Sequence, residues 1–312
     1  MLRYCTHKEI ELEKWNDCLD SSPNSNVYAT PWYLDIIHPG WSALVCEKEG
    51  SYQWIMPLLF RKKGPFFIHP KPILAQRLGV FTADGAGVNL NEIYPWVRNK
   101  FSVFHYPLDH TEEVVQQNFT ALYASNFVLP LASSYQQIHA GYRRDRKARL
   151  HQALQRNLRI KESQQEKELV QLFQKYVAPH ITGGVTPLTY SRMTQLIQYS
   201  ISNKTGFILH VEDQDHHLLS AAFFIKHKHK LIYVFSATNP AGKAAQANTF
   251  LLDHAIREHA GKELVLDFKG SDEPGIADFY RGFGGIQEPF TVIKYESRLF
   301  QNYLKIRKLM LS

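Results

Sequence analysis

The sequence predicts an α/β protein whose mixed sheets are flanked by helices, and two observations carry this prediction. Residues 231–235 form an apolar run, residues 250–256 repeat apolar side chains at helical spacing, and residues 264–268 form a second apolar run. A strand, helix, strand unit of this length forms a right-handed crossover, so its two strands should lie parallel and adjacent. Upstream, apolar runs at 207–211 and 218–225 enclose a polar turn and predict a β-hairpin.

Length and composition indicate a well-packed protein of about two domains. The chain has 312 residues, of which 44% are hydrophobic and 13% aromatic, and its net charge of +7 favours an anionic partner. Its cysteines, Cys5, Cys18 and Cys46, are odd in number and lack zinc-finger spacing, which is typical of a reducing compartment. No uncharged apolar run approaches about 18 residues, and the first residues lack a signal-peptide core. We therefore expect a cytoplasmic protein without a transmembrane segment; the oligomeric state cannot be predicted.

A polar stretch at 236–246 separates the first strand of the crossover from its helix. Small residues there would let backbone amides approach a diphosphate, and the helix N-terminus favours an anion. The predicted cofactor-binding residues are Ser236, Thr238, Gly242, Lys243, Ala244, Ala245 and Asn248. The alternative is a Pro-Ala-Gly turn whose small residues serve the backbone geometry alone.

Three segments in this region resemble a known superfamily. They are residues 237–243, residues 267–271 and residues 275–284, the last of which reads Gly-Ile-Ala-Asp-Phe-Tyr-Arg-Gly-Phe-Gly. Together they resemble the GNAT (acyl-CoA N-acyltransferase) superfamily and, more narrowly, its Fem-type branch of transferases with two tandem GNAT-like halves. The first half of the chain also has the element order of such a half, namely helix, antiparallel strands, helix and strand. The resemblance implies halves at 1–138 and 139–312, with the donor site in the second.

The resemblance also implies a reaction and the residues that perform it. An acyl group would pass from a thioester donor to an amine, with acyl-CoA as a co-substrate rather than a tightly bound cofactor. Tyr280 would protonate the leaving thiolate, and Asp267 would orient or deprotonate the amine. Residues at the carboxyl end of a parallel strand usually bind ligands, and the candidates for substrate binding are Lys269, Ser271, Asp272 and Arg281. The alternatives are that Tyr280 only packs its ring and that Asp272 caps the next helix.

The choice of donor depends on two departures from the Fem-type pattern. Peptidoglycan-building members resemble Phe-Lys-x-x-Phe-Gly at the final turn, whereas this chain has Tyr280 in place of the lysine, and no long helical arm interrupts the second half. Both favour acyl-CoA over aminoacyl-tRNA. A basic helix at 142–158 keeps tRNA open as the alternative, through Arg143, Arg144 and Lys147, unless its face is merely solvated.

Other chemistries are less compatible with the sequence. The pairs His216–His217 and His227–His229 lie in predicted turns without metal-ligand spacing, so no metal is expected. No dinucleotide, Walker or nucleophile-elbow motif is present. The acceptor would be an amine, either a small molecule or a cell-wall precursor. The non-enzymatic alternative is a catalytically degenerate binding protein.

Overall fold

The computed structural model describes residues 2–70, 73–86, 88–114, 116–270 and 272–311. The chain forms two compact units: unit 1 comprises Met1–Ala124 and Pro289–Ser312, and unit 2 comprises Ser125–Glu288. The expected halves at 1–138 and 139–312 stay a prediction, and the compact units divide the chain differently. The physical reason lies in strand pairing, because a strand near the end of the chain returns to pair inside unit 1.

The helices and strands are numbered along the chain. The helices are α1 Leu12–Ser21, α2 Pro31–Ile37, α3 Ile93–Lys100, α4 Tyr135–Ala140, α5 Arg144–Leu154, α6 Glu166–Tyr176, α7 Pro187–Ser202, α8 Pro240–Ala244, α9 Ala247–His259, α10 Pro274–Arg281 and α11 Arg298–Leu311. The strands are β1 Leu2–Cys5, β2 Ser42–Lys48, β3 Ser51–Leu58, β4 Arg61–Lys63, β5 Phe66–His69, β6 Phe81–Thr82, β7 Val103–Pro107, β8 Phe119–Pro130, β9 Arg159–Ser163, β10 Gly206–Glu212, β11 Leu218–His227, β12 Lys230–Thr238, β13 Val265–Asp267 and β14 Ile286–Glu296.

Unit 1 contains two groups of paired strands. The first is antiparallel in the order β1-β2-β3-β6. In the second, β4 and β5 form an antiparallel pair, β5 runs parallel to β7, and β7 pairs antiparallel with the last part of β14. Helix α1 buries Trp15, Cys18 and Leu19 at helical spacing, and the Trp15 ring lies 4.8 Å from that of Trp41.

Unit 2 is built on strands in the order β8-β13-β12-β11-β10-β9. Neighbouring strands in this order pair antiparallel except β12 and β13, which run parallel and are connected through α8 and α9. The predicted crossover and the predicted hairpin of β10 with β11 are therefore confirmed. Phe127, Phe224, Leu251 and Phe268 are members of one buried cluster, which supplies the apolar core of this unit.

Two predicted elements have different bounds. The stretch at 236–246 is not a loop, because β12 extends to Thr238 and α8 occupies Pro240–Ala244. Asn239 caps this short helix by accepting a hydrogen bond from the amide of Gly242 at 2.7 Å. The basic helix predicted at 142–158 is α5, which spans only Arg144–Leu154.

The helices were also compared with the length and hydrophobicity that a transmembrane helix needs. Across the ranges described above, every helix is too short or too polar to span a bilayer.

Candidate functional site

A cavity of about 430 Å³ lies in unit 2, beside the carboxyl-terminal part of β12. This volume falls within the range of small-molecule pockets. Five residues predicted from the sequence line it: Ser236, Thr238, Lys243, Asn248 and Tyr280. The other lining residues, Tyr176, Val177, His180, Tyr233, Ala237, Gly275, Ile276 and Phe279, were not predicted.

One wall of the cavity is a polar network around Tyr233. Its hydroxyl hydrogen-bonds with the hydroxyl of Ser236 and donates to Oδ1 of Asn248 at 2.9 Å. The pairing of β11 with β12 is irregular here: Phe224 faces Tyr233 and Phe223 faces Phe235, which leaves one extra residue, Val234, in β12. Such a bulge turns neighbouring side chains out of the regular alternation. Burial raises the pKa of Tyr233 to about 12, so the phenol is protonated at neutral pH.

The parallel pairing of β12 with β13 is short. It covers three residue pairs and ends where Ile232 faces Asp267. Just beyond, Lys269 has a positive φ of 60° and its Nζ donates to the carbonyl of Val234 at 3.0 Å. The carboxylate of Asp267 accepts from the amide of Lys269 at 2.9 Å, which holds this turn. Burial lowers the pKa of Lys269 to about 8, so a substantial fraction of this amine is neutral in mildly alkaline solution.

Tyr280 is buried near the end of α10 and lines the cavity. Its ring stacks on that of Phe268 with centroids 4.8 Å apart and meets Tyr233 edge to face at 6.5 Å. Burial raises its pKa well above the ordinary value of 10, with smaller contributions from Tyr233 and Asp267. The phenol is therefore a proton donor over the whole physiological range. This position fits the predicted acid, and the ring packing explains why the aromatic ring is needed in either interpretation.

Positive charge collects at the N-terminus of α9. The amides of Ala247, Asn248 and Thr249 belong to the first turn, where a helix has no internal acceptors, and within the described ranges they donate no hydrogen bond. Arg146 of α5 donates from Nη1 to the hydroxyl of Thr249 at 2.9 Å. The Lys243 side chain lines the cavity just before this helix. The helix dipole adds to these cations, so the part of the cavity beside α9 favours an anion.

Arg146 is the least expected residue of the site. It is 2% exposed, its Nε has no hydrogen-bond partner within the described chain, and its guanidinium lies 4.2 Å from the ring centroid of Phe279 and 4.9 Å from that of Phe283. Burial lowers its pKa to about 10. Gly282 makes this packing possible, because a Cβ there would lie 2.8 Å from Nε of Arg146. Gly282, Phe279 and Phe283 of the final motif thus enclose a buried cation.

The predicted diphosphate turn is already engaged in its own hydrogen bonds. The amides of Gly242, Lys243 and Ala245 donate to Asn239 Oδ1, the Asn239 carbonyl and the Ala241 carbonyl. Gly242 is buried, and a Cβ there would lie 2.3 Å from the carbonyl oxygen of Leu219. Among the described lining residues of the cavity, Lys243 alone comes from the set Gly242, Lys243, Ala244 and Ala245. Small residues are needed here for close backbone packing, which is the geometric alternative.

Three of the predicted substrate-binding residues, Lys269, Asp272 and Arg281, are not among the described lining residues of the cavity. Asp272 accepts from the amide of Ser125 at 2.9 Å, and Arg281 donates to Gln287 Oε1 at 2.9 Å while lying over the ring of Phe127. Both contacts link α10 and its preceding loop to β8 and β14. Ser271 lies outside the described residues. Roles in substrate binding stay predictions for these residues and for Lys269.

The basic helix is less available for RNA than its sequence suggests. Arg143 pairs with Asp278 at 2.6 Å and with Asp145 at 3.1 Å, and Lys147 donates to the carbonyl of Ala140. Arg144 is exposed. Arg146 does not belong to the solvated basic face to which its charge alone assigns it, because it is buried against α9 and α10. Two of the three predicted RNA contacts are thus occupied within the chain.

One cluster of side chains has metal-ligand geometry on distance alone. Ligand atoms of Asp213, Asp215 and His217 lie within 4.8 Å of one another in the turn between β10 and β11. The Asp213 carboxylate already accepts from the amides of Asp215 and His217, as expected of a turn-forming aspartate. The contacts therefore explain the cluster as a structural turn.

A sequence signal existed for some of the residues that were missed. Arg146 stands at helical spacing between Tyr142 and Leu150, which are both buried, so its position on the apolar stripe indicated burial more reliably than its charge. Tyr176 is the last residue of α6 and His180 follows the helix, so both approach the cavity only through tertiary folding. No local sequence pattern predicts such residues.

Comparison with known proteins supports the fold assignment. No family model matches the chain, and no curated protein matches its sequence. Among solved structures, FemX aligns with a TM-score of 0.60 at 13% identity, covering 90% of this chain and 96% of that one. A tandem GNAT protein from the clavulanic acid biosynthesis pathway aligns with a TM-score of 0.54 at 10% identity, covering 94% and 98%.

A third similar structure extends this result. L-PGS from Bacillus licheniformis aligns with a TM-score of 0.51 at 10% identity, covering 92% of each chain. Identities this low establish the fold alone. The resemblance predicted from the sequence is thereby confirmed for the fold, and the chain has the tandem GNAT-like fold of Fem-type proteins.

Proposed function

We propose that unit 2 binds an acyl-CoA thioester and transfers its acyl group to an amine. The observation that carries the proposal is that one cavity combines a site for an anion with buried phenols. Asn248 of the first turn of α9 and Lys243 line it together with Tyr233 and Tyr280, and Arg146 lies behind the first turn of α9. An acyl-CoA carries both an anionic diphosphate and a thioester, and these are the groups that such a cavity would contact.

The anionic end of the donor fits the charge distribution. Three amides without internal acceptors and the positive end of the α9 dipole favour a diphosphate. Lys243 lines the cavity and can contact the phosphate oxygens. Arg146 contributes its charge and, through Thr249, fixes the first turn of the helix. The donor contact is thus assigned to α9 rather than to the Gly242 turn.

The thioester end fits acid catalysis of thiolate departure. A neutral amine attacks the thioester carbonyl carbon, a C–N bond forms, and the C–S bond breaks as the carbonyl is restored. The leaving thiolate takes the phenolic proton of Tyr280, which is protonated throughout the working pH range. The nitrogen releases one proton to solvent as the amide forms, and uptake of a proton from solvent restores the phenol. Asp267 does not line the cavity in the described chain, so we assign it to positioning Lys269 through the backbone hydrogen bond rather than to taking the amine's proton.

Calorimetric titration with acetyl-CoA, CoA and inorganic pyrophosphate tests the donor assignment. We expect acetyl-CoA to bind and pyrophosphate to compete with it. Lys243→Met should weaken acetyl-CoA binding by about tenfold or more, since hydrogen bonds to charged groups contribute about 1.5–3 kcal/mol. The matched control is Lys262→Met, an exposed lysine beyond the other end of α9, which should leave the affinity unchanged. Absence of acetyl-CoA binding by the parent protein would refute the proposal.

RNA-binding and activity measurements address the two alternatives. An aminoacyl-tRNA donor would give RNA binding that falls steeply with salt and is lost when Arg144 is reversed to Glu. We expect acetyl-CoA affinity to be unaffected by that change. A catalytically degenerate binding protein would bind acetyl-CoA but form no amide with any amine acceptor, however long the incubation.

A further inference from the structure

Helix α11 displays an apolar stripe that unit 1 does not cover. Phe300 is buried and anchors the helix, packing edge to face on Phe66 with centroids 5.2 Å apart. Beside it, Leu299 and Ile306 are 77% and 53% exposed, with Tyr303 between them on the same side of the helix. Leu304, on the other flank of Phe300, is also exposed. Exposed side chains of this size along one helix mark an interaction surface.

Cations surround this stripe. Residues 298–311 contain four basic residues and no acidic residue. Phe66, which contacts Phe300, lies in the hairpin of β4 with β5, and this hairpin adds three exposed cations to the same region. In this region, six described cations form no ion pair with a carboxylate of the described chain: Arg61, Lys62, Lys63, Arg298, Lys305 and Arg307. We name this set of cations, with Leu299, Tyr303, Leu304 and Ile306, the α11 surface.

We propose that the α11 surface docks unit 1 on an anionic lipid bilayer. An amphipathic helix with leucines on one face and lysines or arginines beside them lies in the bilayer interface, where apolar side chains enter the acyl boundary and cations meet the headgroups. Helix α11 has 14 residues, so it offers a contact about 21 Å long. Basic residues of β4 extend the charged rim beyond the helix itself.

Charge complementarity favours lipid over the other occupants. RNA would use the cations, but base stacking needs exposed aromatic faces, and the exposed apolar residues here are mostly leucine and isoleucine. A second copy of the chain would place six or more like charges opposite one another, which opposes association. An anionic bilayer satisfies both the apolar stripe and its basic rim.

Vesicle flotation of the full-length chain tests the proposal. The probes are vesicles of phosphatidylcholine alone and of phosphatidylcholine with about one-third phosphatidylglycerol, and we expect partition onto the anionic vesicles only, weakening with added salt. Reversal of Arg61, Lys62 and Lys63 to Glu should lower the partition coefficient by about 100-fold or more, given about fivefold per cation removed near the surface. The double variant Leu299→Gln with Ile306→Gln should lower it by about tenfold.

Matched controls keep the result interpretable. Leu154→Gln with Leu188→Gln replaces two similarly exposed leucines in unit 2 and should leave partition unchanged. Leu299→Gln alone serves as a milder variant, with thermal melting to verify the fold. Equal partition on neutral and anionic vesicles, or undiminished partition of the Leu299 and Ile306 variants, would overturn the proposal. So would binding of RNA that is tighter than that of anionic vesicles, or self-association that these variants abolish.

Discussion

Replacement of the buried arginine tests how the first turn of α9 contributes to donor binding. Arg146→Met removes the charge near α9 but keeps an unbranched side chain between Phe279 and Phe283. The change loses a charged hydrogen bond to Thr249, about 1.5–3 kcal/mol, and stacking on the rings, about 2 kcal/mol. It also removes the cost of burying the charge: a pKa lowered from 12.5 to about 10 corresponds to about 3 kcal/mol.

These terms nearly cancel, so the free energy of unfolding should change by no more than about 2 kcal/mol. Donor binding has no such cancellation, because the ligand loses positive potential at α9. We expect acetyl-CoA affinity to fall by about 10- to 100-fold in calorimetry, while chemical denaturation shows the fold retained. The control Arg144→Met removes an exposed charge from the same helix and should leave affinity unchanged. Equal affinities in the parent and Arg146→Met, or equal losses in both variants, would refute this reasoning.

Three further outcomes are expected. Tyr280→Phe keeps the ring on its apolar neighbours and should lower kcat about 10²- to 10⁴-fold with donor affinity unchanged, as single-turnover kinetics will show; full activity would leave this residue a packing role only. Gly242→Ala should destabilise unit 2 by about 1–3 kcal/mol in urea denaturation because its Cβ would meet the Leu219 backbone, whereas Gly275→Ala, which meets nothing within 4 Å, should be neutral or stabilising. Burial lowers the pKa of His69 to about 3, so between pH 3 and 6.5 the unfolded state binds more protons than the folded state. Acidification to pH 5 should therefore lower the free energy of unfolding of the parent by about 2 kcal/mol, a loss that His69→Phe should not show. Equal losses of stability in the two proteins would contradict this prediction.

The crossover was predictable because its signals are local. Apolar runs and helical spacing determine β12, α9 and β13, and chain length then leaves few topologies. The pairing of β7 with β14 was not predictable, since its partners are separated by most of the chain. The compact units therefore differ from the expected halves.

The sequence predicted several residues of the candidate cavity but not their hydrogen bonds. Ser236, Thr238, Asn248 and Tyr280 follow from the strand ends and the final motif, and they line one cavity. The sequence does not reveal that Asn239 already occupies the amide of Gly242, because several short polar side chains could cap or bind a ligand equally well. Arg146 was not predicted, because an arginine in a basic helix is usually solvated, although its place on the apolar stripe of α5 indicated burial.

Hydrogen–deuterium exchange with saturating acetyl-CoA locates the donor most directly. We predict slowed exchange at the amides of Ala247, Asn248 and Thr249, which donate no hydrogen bond in the described part of the free protein. Exchange across the β1-β2-β3-β6 strands of unit 1 should stay unchanged. Bound acetyl-CoA that leaves the first turn of α9 exchanging at its original rate, or that protects only unit 1, would contradict the account.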